Sequence, residues 1–354
     1  MRHLGRIGRL GIGIPAAVLG ILLAVTPVLA CGGLIGPNGA VNLLRTTTMA
    51  GYHDGVEHYV TAFQFAGGGG AFGSITPLPG VPTSVEKGGD WTLQRLIRET
   101  SPVQFEDAFR ASAPAASGAE EIMKVKIDAL DITVLKGGAA DIGAWAKDHG
   151  FRLPPDSPEV LDFYAERSPI FLAAAFDADA ANQRGQQIGD GTPVHITIPT
   201  ANPWVPLRIL ALGKTGTEVV QADVYLLTDR APTLLPAPTG SNGIRLDHSA
   251  AASDGLLSDL RSDRGMEWIP ASGWLTKVAV DGEASQLSYD LAVDASGAGR
   301  PSAVDAGFTM PGSASPLTSS VDLARLMLAL GFAALGLIGI GLMVGARPGR
   351  RTVA

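Results

Sequence analysis

The sequence predicts an α+β fold of largely antiparallel β-sheet with a few short helices, followed by one C-terminal transmembrane helix. Strand-like segments outnumber helical ones and mostly follow one another, and Gly, Asn and Pro separate them. A long uncharged apolar run near the end of the chain predicts the membrane helix. With 354 residues, of which 46% are apolar, the chain has enough apolar surface to fold and cannot be a disordered tail.

The first predicted elements are a β-hairpin and a stiff connection. Residues 46–53 and 56–65 are rich in β-branched and aromatic side chains, and Asp54-Gly55 between them is typical of a two-residue hairpin turn. The proline-rich segment 77–82 cannot belong to a paired central strand, because proline fixes φ and has no N–H to donate. We interpret this segment as a rigid crossover in which Leu78 and Val81 are the side chains able to reach an apolar surface. The alternative is a ligand-binding edge that leaves Leu78 exposed.

The remaining elements follow from apolar periodicity and from capping residues. In chain order they are a helix from Trp91 to about Arg98 capped by Asp90, a strand over 122–135, helices over 139–149 and from Pro158, strands over 170–176, 194–198, 207–212 and 219–228, and a late strand pair, 274–280 with 287–293.

The two ends of the chain predict its location. Three Arg and no acid precede an apolar stretch in residues 1–30, which indicates an export signal, either cleaved or retained as an anchor. Residues 326–345 are uncharged and three Arg follow them, which predicts a membrane span with a cytoplasmic C-terminus. The predicted organisation is a signal peptide over 1–30, an extracytoplasmic α+β domain over 31–295, a Gly/Ser/Pro/Ala linker over 296–320, a transmembrane helix over 321–346 and a cytoplasmic tail over 347–354.

The charge distribution limits the partners. Residues 31–320 carry 20 basic and 33 acidic residues, so the predicted domain is acidic. A phosphate-binding surface needs clustered Lys and Arg, and nucleic acid is therefore not an expected partner. The expected partners are the membrane, through the C-terminal helix, and an extracytoplasmic ligand or protein that the sequence does not identify.

Cys31 is the only cysteine, so no intrachain disulfide can form. It follows the predicted cleavage point directly, where bacterial lipoproteins carry an acylated cysteine. Bulky Leu29 stands where such a signal usually has a small residue. Cys31 is therefore either a lipid attachment site or a free thiol.

One pair of segments is similar to the catalytic elements of penicillin-binding proteins. Ser84 and Lys87 have the Ser-x-x-Lys spacing, and Lys214-Thr215-Gly216 follows later in the chain. The chemistry requires Ser84 and Lys87 on one helix, but Pro82 and Gly88-Gly89 leave no room for one. The middle element is absent from the sequence, and we therefore predict no catalytic residue.

His53 and His58 lie at the tip of the predicted hairpin. The two-residue turn places both imidazoles on one face of the hairpin, and Glu57 on the opposite face. The two histidines could ligate a metal if a third ligand arrived from elsewhere in the fold. His149, His195 and His248 have no patterned partner, and a polar, solvated hairpin tip is the simpler explanation of the same residues.

A family resemblance covers residues 31–294. The motifs that carry it are Cys31-Gly32-Gly33, the hairpin segment 52–57, the proline-rich segment 75–82, the strand 131–135, the Trp-Ala-Lys-Asp-His-Gly-Phe segment 145–151, Pro206-Leu207-Arg208 and Trp274-Leu275-Thr276-Lys277. Together they resemble the bacterial family called domain of unknown function 2330. The resemblance implies an exported, often membrane-anchored protein with no assigned reaction, and it supplies no catalytic residue. Members that open with Cys-Gly-Gly often have a second Cys nearby; Ile35 and Gly36 occupy that stretch here, so the terminal disulfide that such a pair implies is lost.

These observations predict a membrane-anchored cell-envelope protein with a non-enzymatic surface-binding or scaffolding domain and no cofactor. The alternative is an extracytoplasmic hydrolase or metalloprotein that uses His53 and His58. A third His, Asp or Glu converging on these two residues would favour the alternative.

Overall fold

The computed structural model describes residues 33–37, 39–40, 46–64, 72–101, 121–183, 185 and 191–309. The predicted signal peptide, Cys31, the transmembrane helix and the cytoplasmic tail lie outside these residues. Among the described residues, no helix has the length and apolar character needed to cross a membrane.

The described elements are mainly strands. The strands are β1 (Gly33–Gly36), β2 (Gly39–Ala40), β3 (Thr46–His53), β4 (Val56–Gln64), β5 (Phe72–Pro77), β6 (Ser84–Lys87), β7 (Glu121–Ile127), β8 (Leu130–Lys136), β9 (Ile170–Phe176), β10 (Gly191–Pro199), β11 (Trp204–Val205), β12 (Val219–Thr228), β13 (Thr233–Leu235), β14 (Ile244–Ala251), β15 (Trp274–Glu283) and β16 (Leu291–Asp294). The helices are α1 (Thr92–Thr100), α2 (Ala139–Asp148), α3 (Ser157–Ala165), α4 (Ala178–Gln183), α5 (Asp254–Ser262) and two 3₁₀ helices, Arg208–Ala211 and Ala284–Gln286.

The strands form three sheets. A seven-stranded sheet has the order β14-β15-β12-β3-β4-β10-β6, a six-stranded sheet the order β2-β1-β5-β9-β8-β7, and a three-stranded sheet the order β11-β16-β13. Among the described strands, β12 and β3 are the one parallel pair, and all other neighbours are antiparallel. The predicted class, mostly antiparallel sheet with a few short helices, is confirmed.

Each face of the seven-stranded sheet is covered by a separate core. On the inner face, side chains such as Tyr59 and Ile196 join one large core with the six-stranded sheet and with Trp145 of α2 and Tyr164 of α3. On the outer face, Met49, Val60 and Tyr225 pack in a second core with α1 and α5. Because side chains alternate along a strand, residues of one strand serve both cores.

The predicted hairpin is present. β3 and β4 pair antiparallel with His53 opposite Val56. Asp54 and Gly55 have φ values of 49° and 78°, the two left-handed conformations that a twisted two-residue turn requires.

The prediction of a single strand over 122–135 is wrong, because the segment forms two strands. It is a second hairpin, β7–β8, that turns at Asp128, whose φ is 58°. Asp tolerates this left-handed conformation better than most residues, because its side chain can hydrogen-bond locally.

The predicted strand over 207–212 is also wrong. Side chains distant in sequence take up the backbone donors of this segment: the N–H groups of Leu207 and Arg208 donate to Asp290, and that of Ile209 donates to the Tyr164 hydroxyl. The segment therefore forms a 3₁₀ helix instead of joining a sheet.

The predicted late strand pair does not form either. β15 pairs with β12 and β14, whereas β16 belongs to the three-stranded sheet. β14 (Ile244–Ala251), for which no strand is predicted, takes the place beside β15.

The predicted cap of α1 is replaced by a residue distant in sequence. The carboxylate of Asp263, rather than Asp90, accepts hydrogen bonds from the Trp91 N–H at 2.9 Å and from the Thr92 hydroxyl at 2.8 Å. This carboxylate satisfies a donor at the start of the helix and ties α1 to the end of α5.

The folded unit extends beyond residue 295, where the sequence predicts a linker. The Asp290 N–H donates to the Ala306 carbonyl at 3.1 Å, and the Ala306 side chain is buried. Arg167 donates to the Asp305 carbonyl at 2.6 Å. Residues up to Thr309 therefore pack against the domain.

The prediction that the proline-rich segment lies outside the paired strands is wrong at its first residue, because Pro77 ends β5 and pairs with Phe171 of β9. The rest of the segment is a crossover that joins the six-stranded sheet to the edge strand β6 of the seven-stranded sheet. Leu78 is fully buried in the large core, and its N–H donates to the Ile170 carbonyl at 2.9 Å. Val81, three residues on, is 48% exposed. Leu78 therefore fixes how the crossover packs between the two sheets.

Leu78→Ala should lower the free energy of unfolding by about 2–4 kcal/mol, because it removes packed core atoms and leaves a cavity. Val81→Ala, the matched control on the exposed side, should change it by about 0.5 kcal/mol or less. Urea titrations of the purified chain measure both. Equal midpoints for Leu78→Ala and the parent would contradict the core position.

Candidate functional site: a histidine–tryptophan cluster

His53, His58 and His195 lie on three adjacent strands of the seven-stranded sheet, on its outer face. His53 is on β3 and His58 on β4, as the hairpin register predicts, and His195 is on the next strand, β10. Thr197 of β10 lies directly opposite His58, and His195 lies opposite Val60. His58 and His195 are therefore diagonal neighbours across two adjacent strands.

His58 and His195 are hydrogen-bonded to each other. Nδ1 of His58 lies 2.9 Å from Nε2 of His195, and the ring centroids are 5.2 Å apart. That centroid separation equals the nitrogen–nitrogen distance plus the two ring radii, so the two nitrogens face each other head-on. A metal bound by both rings would need their lone pairs to converge on a third point. The geometry is that of a hydrogen bond.

Trp268 completes the cluster. Its indole is stacked on His58 with centroids 3.8 Å apart and planes 4° apart. Its ring tip lies over Gly51, where an added Cβ would come within 2.3 Å of Cη2. We call His58, His195 and Trp268 the histidine–tryptophan cluster. Glycine at position 51 is what allows the indole to lie against β3.

The loop that carries Trp268 is held in place on both sides. The Gly89 N–H donates to the Arg264 carbonyl at 2.8 Å, and Arg261 donates to the Pro270 carbonyl at 2.6 Å. Met266 and Ile269, which flank the loop tip, are buried in the outer core. The indole is thus positioned by packing on either side of it.

Both imidazoles of the pair are uncharged at neutral pH. Burial, together with the smaller effects of the neighbouring His195 and His53, lowers the pKa of His58 to about 3. Burial also lowers the pKa of His195, against the raising effects of Glu86, Glu267 and a backbone hydrogen bond to Gly265. Neutral imidazoles act as hydrogen-bond donors and acceptors rather than as positive charges.

The pair engages one ring nitrogen of each imidazole, Nδ1 of His58 and Nε2 of His195. Nε2 is therefore the ring nitrogen of His58 that lies outside the pair.

His53 has a different partner. Its Nδ1 lies 2.6 Å from Asp229 and its Nε2 lies 3.3 Å from Asp54. Among the described residues, no three His, Cys, Asp or Glu side chains are arranged to hold a metal ion. His53 and His58 therefore share a face of the sheet but have separate hydrogen-bond partners.

Glu57 lies on the opposite face of β4, as predicted, and is fully buried in the inner core. Neither carboxyl oxygen has a close hydrogen-bond partner. Burial raises the pKa of Glu57 to about 8, and the backbone N–H of Trp204 lowers it slightly. The carboxyl is therefore protonated at neutral pH.

The segments similar to penicillin-binding proteins do not form a catalytic site. Ser84 and Lys87 are in β6, so their side chains point to opposite faces of the sheet. Lys87 forms an ion pair with Asp128. Lys214 and Thr215 belong to a turn that Glu218 closes through the Thr215 N–H.

Sequence reasoning missed His195 and Trp268. His195 stands in a correctly predicted strand, but its proximity to His58 depends on the pairing of β10 with β4, which no local pattern specifies. Trp268 lies in a segment with no predicted element. The one local sign of a contact at this place was Gly51, a glycine within a predicted strand. A glycine within a predicted strand can mark a close approach by another group.

The fold and the cluster define a domain of mostly antiparallel β-sheet in which two imidazoles and an indole pack together on the outer face of one sheet. A model of the family described as an uncharacterized protein conserved in bacteria (DUF2330) matches residues 25–293. The chain belongs to this family, and the resemblance noted in the sequence is confirmed. No curated protein matched the chain.

Two solved structures are similar to the chain. Baculovirus P35 is 11% identical, with a TM-score of 0.37, and the match covers 70% of this chain and 96% of that one. A mutated baculovirus P35 after caspase cleavage is also 11% identical, with a TM-score of 0.34, and the match covers 70% of this chain and 98% of that one.

Gly51→Ala should displace the Trp268 indole and destabilise the chain by about 1–3 kcal/mol, because the new methyl group overlaps the ring. Acrylamide quenching of Trp268 fluorescence, isolated by subtracting a Trp268→Phe variant, should increase.

The matched control is Gly143→Ala, in the middle of α2, where the nearest atom is 3.8 Å from an added Cβ. That substitution should stabilise the chain slightly through helix propensity. Unchanged stability and unchanged quenching in Gly51→Ala would show that the indole does not depend on this glycine.

Proposed function

We propose that this chain is an exported, membrane-anchored cell-envelope protein whose domain binds an extracytoplasmic ligand or protein through the histidine–tryptophan cluster. The observation that carries the proposal is the way the cluster is built. Two desolvated imidazoles and an indole are held against each other, and Gly51 makes the space for the indole. A solvated hairpin tip would need none of these arrangements.

The proposed location is supported by the sequence at both ends. The basic and apolar stretch over 1–30 supports export, and the uncharged run 326–345 with Arg347, Arg350 and Arg351 after it supports a membrane span. An exported protein does not need an intrachain disulfide when its apolar cores are large enough to stabilise it, and this domain has two such cores.

The chemistry of the cluster indicates what it binds. The pair is uncharged, and Glu86 and Glu267 lie close enough to His195 to influence its pKa. Acidic surroundings disfavour an anionic ligand. Nε2 of His58 is the ring nitrogen outside the pair, so the ligand should be a neutral or cationic group that can hydrogen-bond to it.

The geometry favours binding over the hydrolase or metalloprotein alternative. Nδ1 of His58 is engaged by His195, and Nδ1 of His53 by Asp229, so the two histidines do not act on a common point. The very low basicity of His58 also makes it a weak general base near neutral pH.

The topology is tested by adding protease to intact spheroplasts that produce the full chain. The domain should be degraded, and a fragment containing residues 326–354 should remain. A domain that resists protease until the cells are lysed, and is then degraded, would contradict export.

The binding surface is tested by placing a photo-crosslinking amino acid at Thr197, which lies opposite His58 in the sheet. Illumination of spheroplasts should give a discrete adduct that Trp268→Ala abolishes. The matched control site is Leu246, which is 47% exposed on β14 at the far edge of the same sheet. The same adduct from both positions, or none from Thr197, would contradict a binding role for the cluster.

A further inference from the structure

Glu57 and His58 are consecutive residues of β4 that face opposite sides of one sheet. His58 belongs to the cluster on the outer face, whereas Glu57 is 0% exposed on the inner face. Both oxygens of Glu57 are buried without a close hydrogen-bond partner. A displacement of β4 that exposes one of these residues must therefore move the other.

In the part of the chain that the structure describes, no positive charge lies close enough to Glu57 to stabilise its ionised form. Tyr52 lies opposite on β3, and its hydroxyl donates to the Thr200 carbonyl. Burial, and to a smaller extent the Glu57 charge, raises the pKa of Tyr52. Ile198 lies opposite on β10, and β11 offers only the backbone N–H of Trp204.

The other ionisable groups near the hairpin are already paired or lie on the other face. Arg167, whose guanidinium lies over the Trp204 ring, is paired with Asp290. His53, His58, His195 and Asp229 lie beyond the sheet, on the outer side.

We propose that loss of the Glu57 proton loosens the hairpin β3–β4 and thereby takes apart the histidine–tryptophan cluster. An unpaired carboxylate is not tolerated in an apolar core, and water or movement must relieve it. The nearest exposed residues are at the hairpin tip, where Asp54 and Gly55 are open to solvent. Opening from the tip moves β4 relative to β10 and separates His58 from His195.

The direction of the effect follows from the protonation state. The neutral carboxyl is compatible with the core, so the stability that it contributes to the closed hairpin is fully present below about pH 4.5, declines as the pH rises and is lost once the pH passes about 8. This regulation acts on the proposed binding surface and in that respect rests on the proposed function. It would make binding sensitive to mildly alkaline conditions outside the cell.

The test measures acrylamide quenching of Trp268 in the full chain, in detergent, from pH 6.5 to 9, with Trp268→Phe subtracted. Quenching should rise about twofold across this range in the parent and stay constant in Glu57→Gln, which keeps the shape of the side chain without its proton. Glu57→Met is a second neutral variant should the amide prevent folding. The matched control Glu166→Gln, at an exposed position after α3, should behave as the parent does.

A rise in quenching that persists in the folded Glu57 variants would overturn the proposal, as would a parent with no pH dependence. Crosslinking from Thr197 at pH 7 tests the proposed function separately, because Glu57 is protonated there. An adduct at pH 7 without a quenching step contradicts only the coupling. A quenching step that Glu57→Gln abolishes, without any adduct, contradicts only the binding function.

Discussion

The buried ion pair between Arg167 and Asp290 holds together parts of the chain that no single sheet connects. The two groups are 2.7 Å apart and almost inaccessible to solvent. Asp290 also accepts from the Tyr164 hydroxyl and from the backbone before the 3₁₀ helix, while Arg167 reaches the segment that ends at Thr309. Removing one partner of such a pair leaves the other charge buried and costs about 3–5 kcal/mol. The three-stranded sheet, α3 and the C-terminal segment therefore depend on one contact.

The seven-stranded sheet relates this interior to the candidate site. The Trp204 ring, on β11, lies beside the Tyr164 ring with centroids 5.8 Å apart. The backbone N–H of Trp204 faces Glu57. One residue further along β4, His58 is on the outer face in the cluster. The same strand thus supplies a buried carboxyl to the core and an imidazole to the surface. Such alternation makes the chemistry of the outer face dependent on packing inside.

The candidate site could be predicted only in part. The Asp54-Gly55 turn fixed the register of β3 against β4 and so placed His53 and His58 on one face, with Glu57 on the other. It could not show that His58 pairs with His195, because that contact joins strands far apart in the chain. Nor could it show that His53 pairs with Asp229, at a separation of 176 residues.

By itself, the sequence determined the elements whose causes are local: the hairpin at Asp54-Gly55, the apolar stripes of α2 and α3, and the mostly antiparallel class. It also determined membership of the bacterial family. Tertiary structure decided the rest. The cap of α1 comes from Asp263, the 3₁₀ helix from Asp290, and the cluster from Trp268. In each case a backbone donor is hydrogen-bonded, or a ring is contacted, by a group distant in sequence. Only folding brings such groups within contact distance.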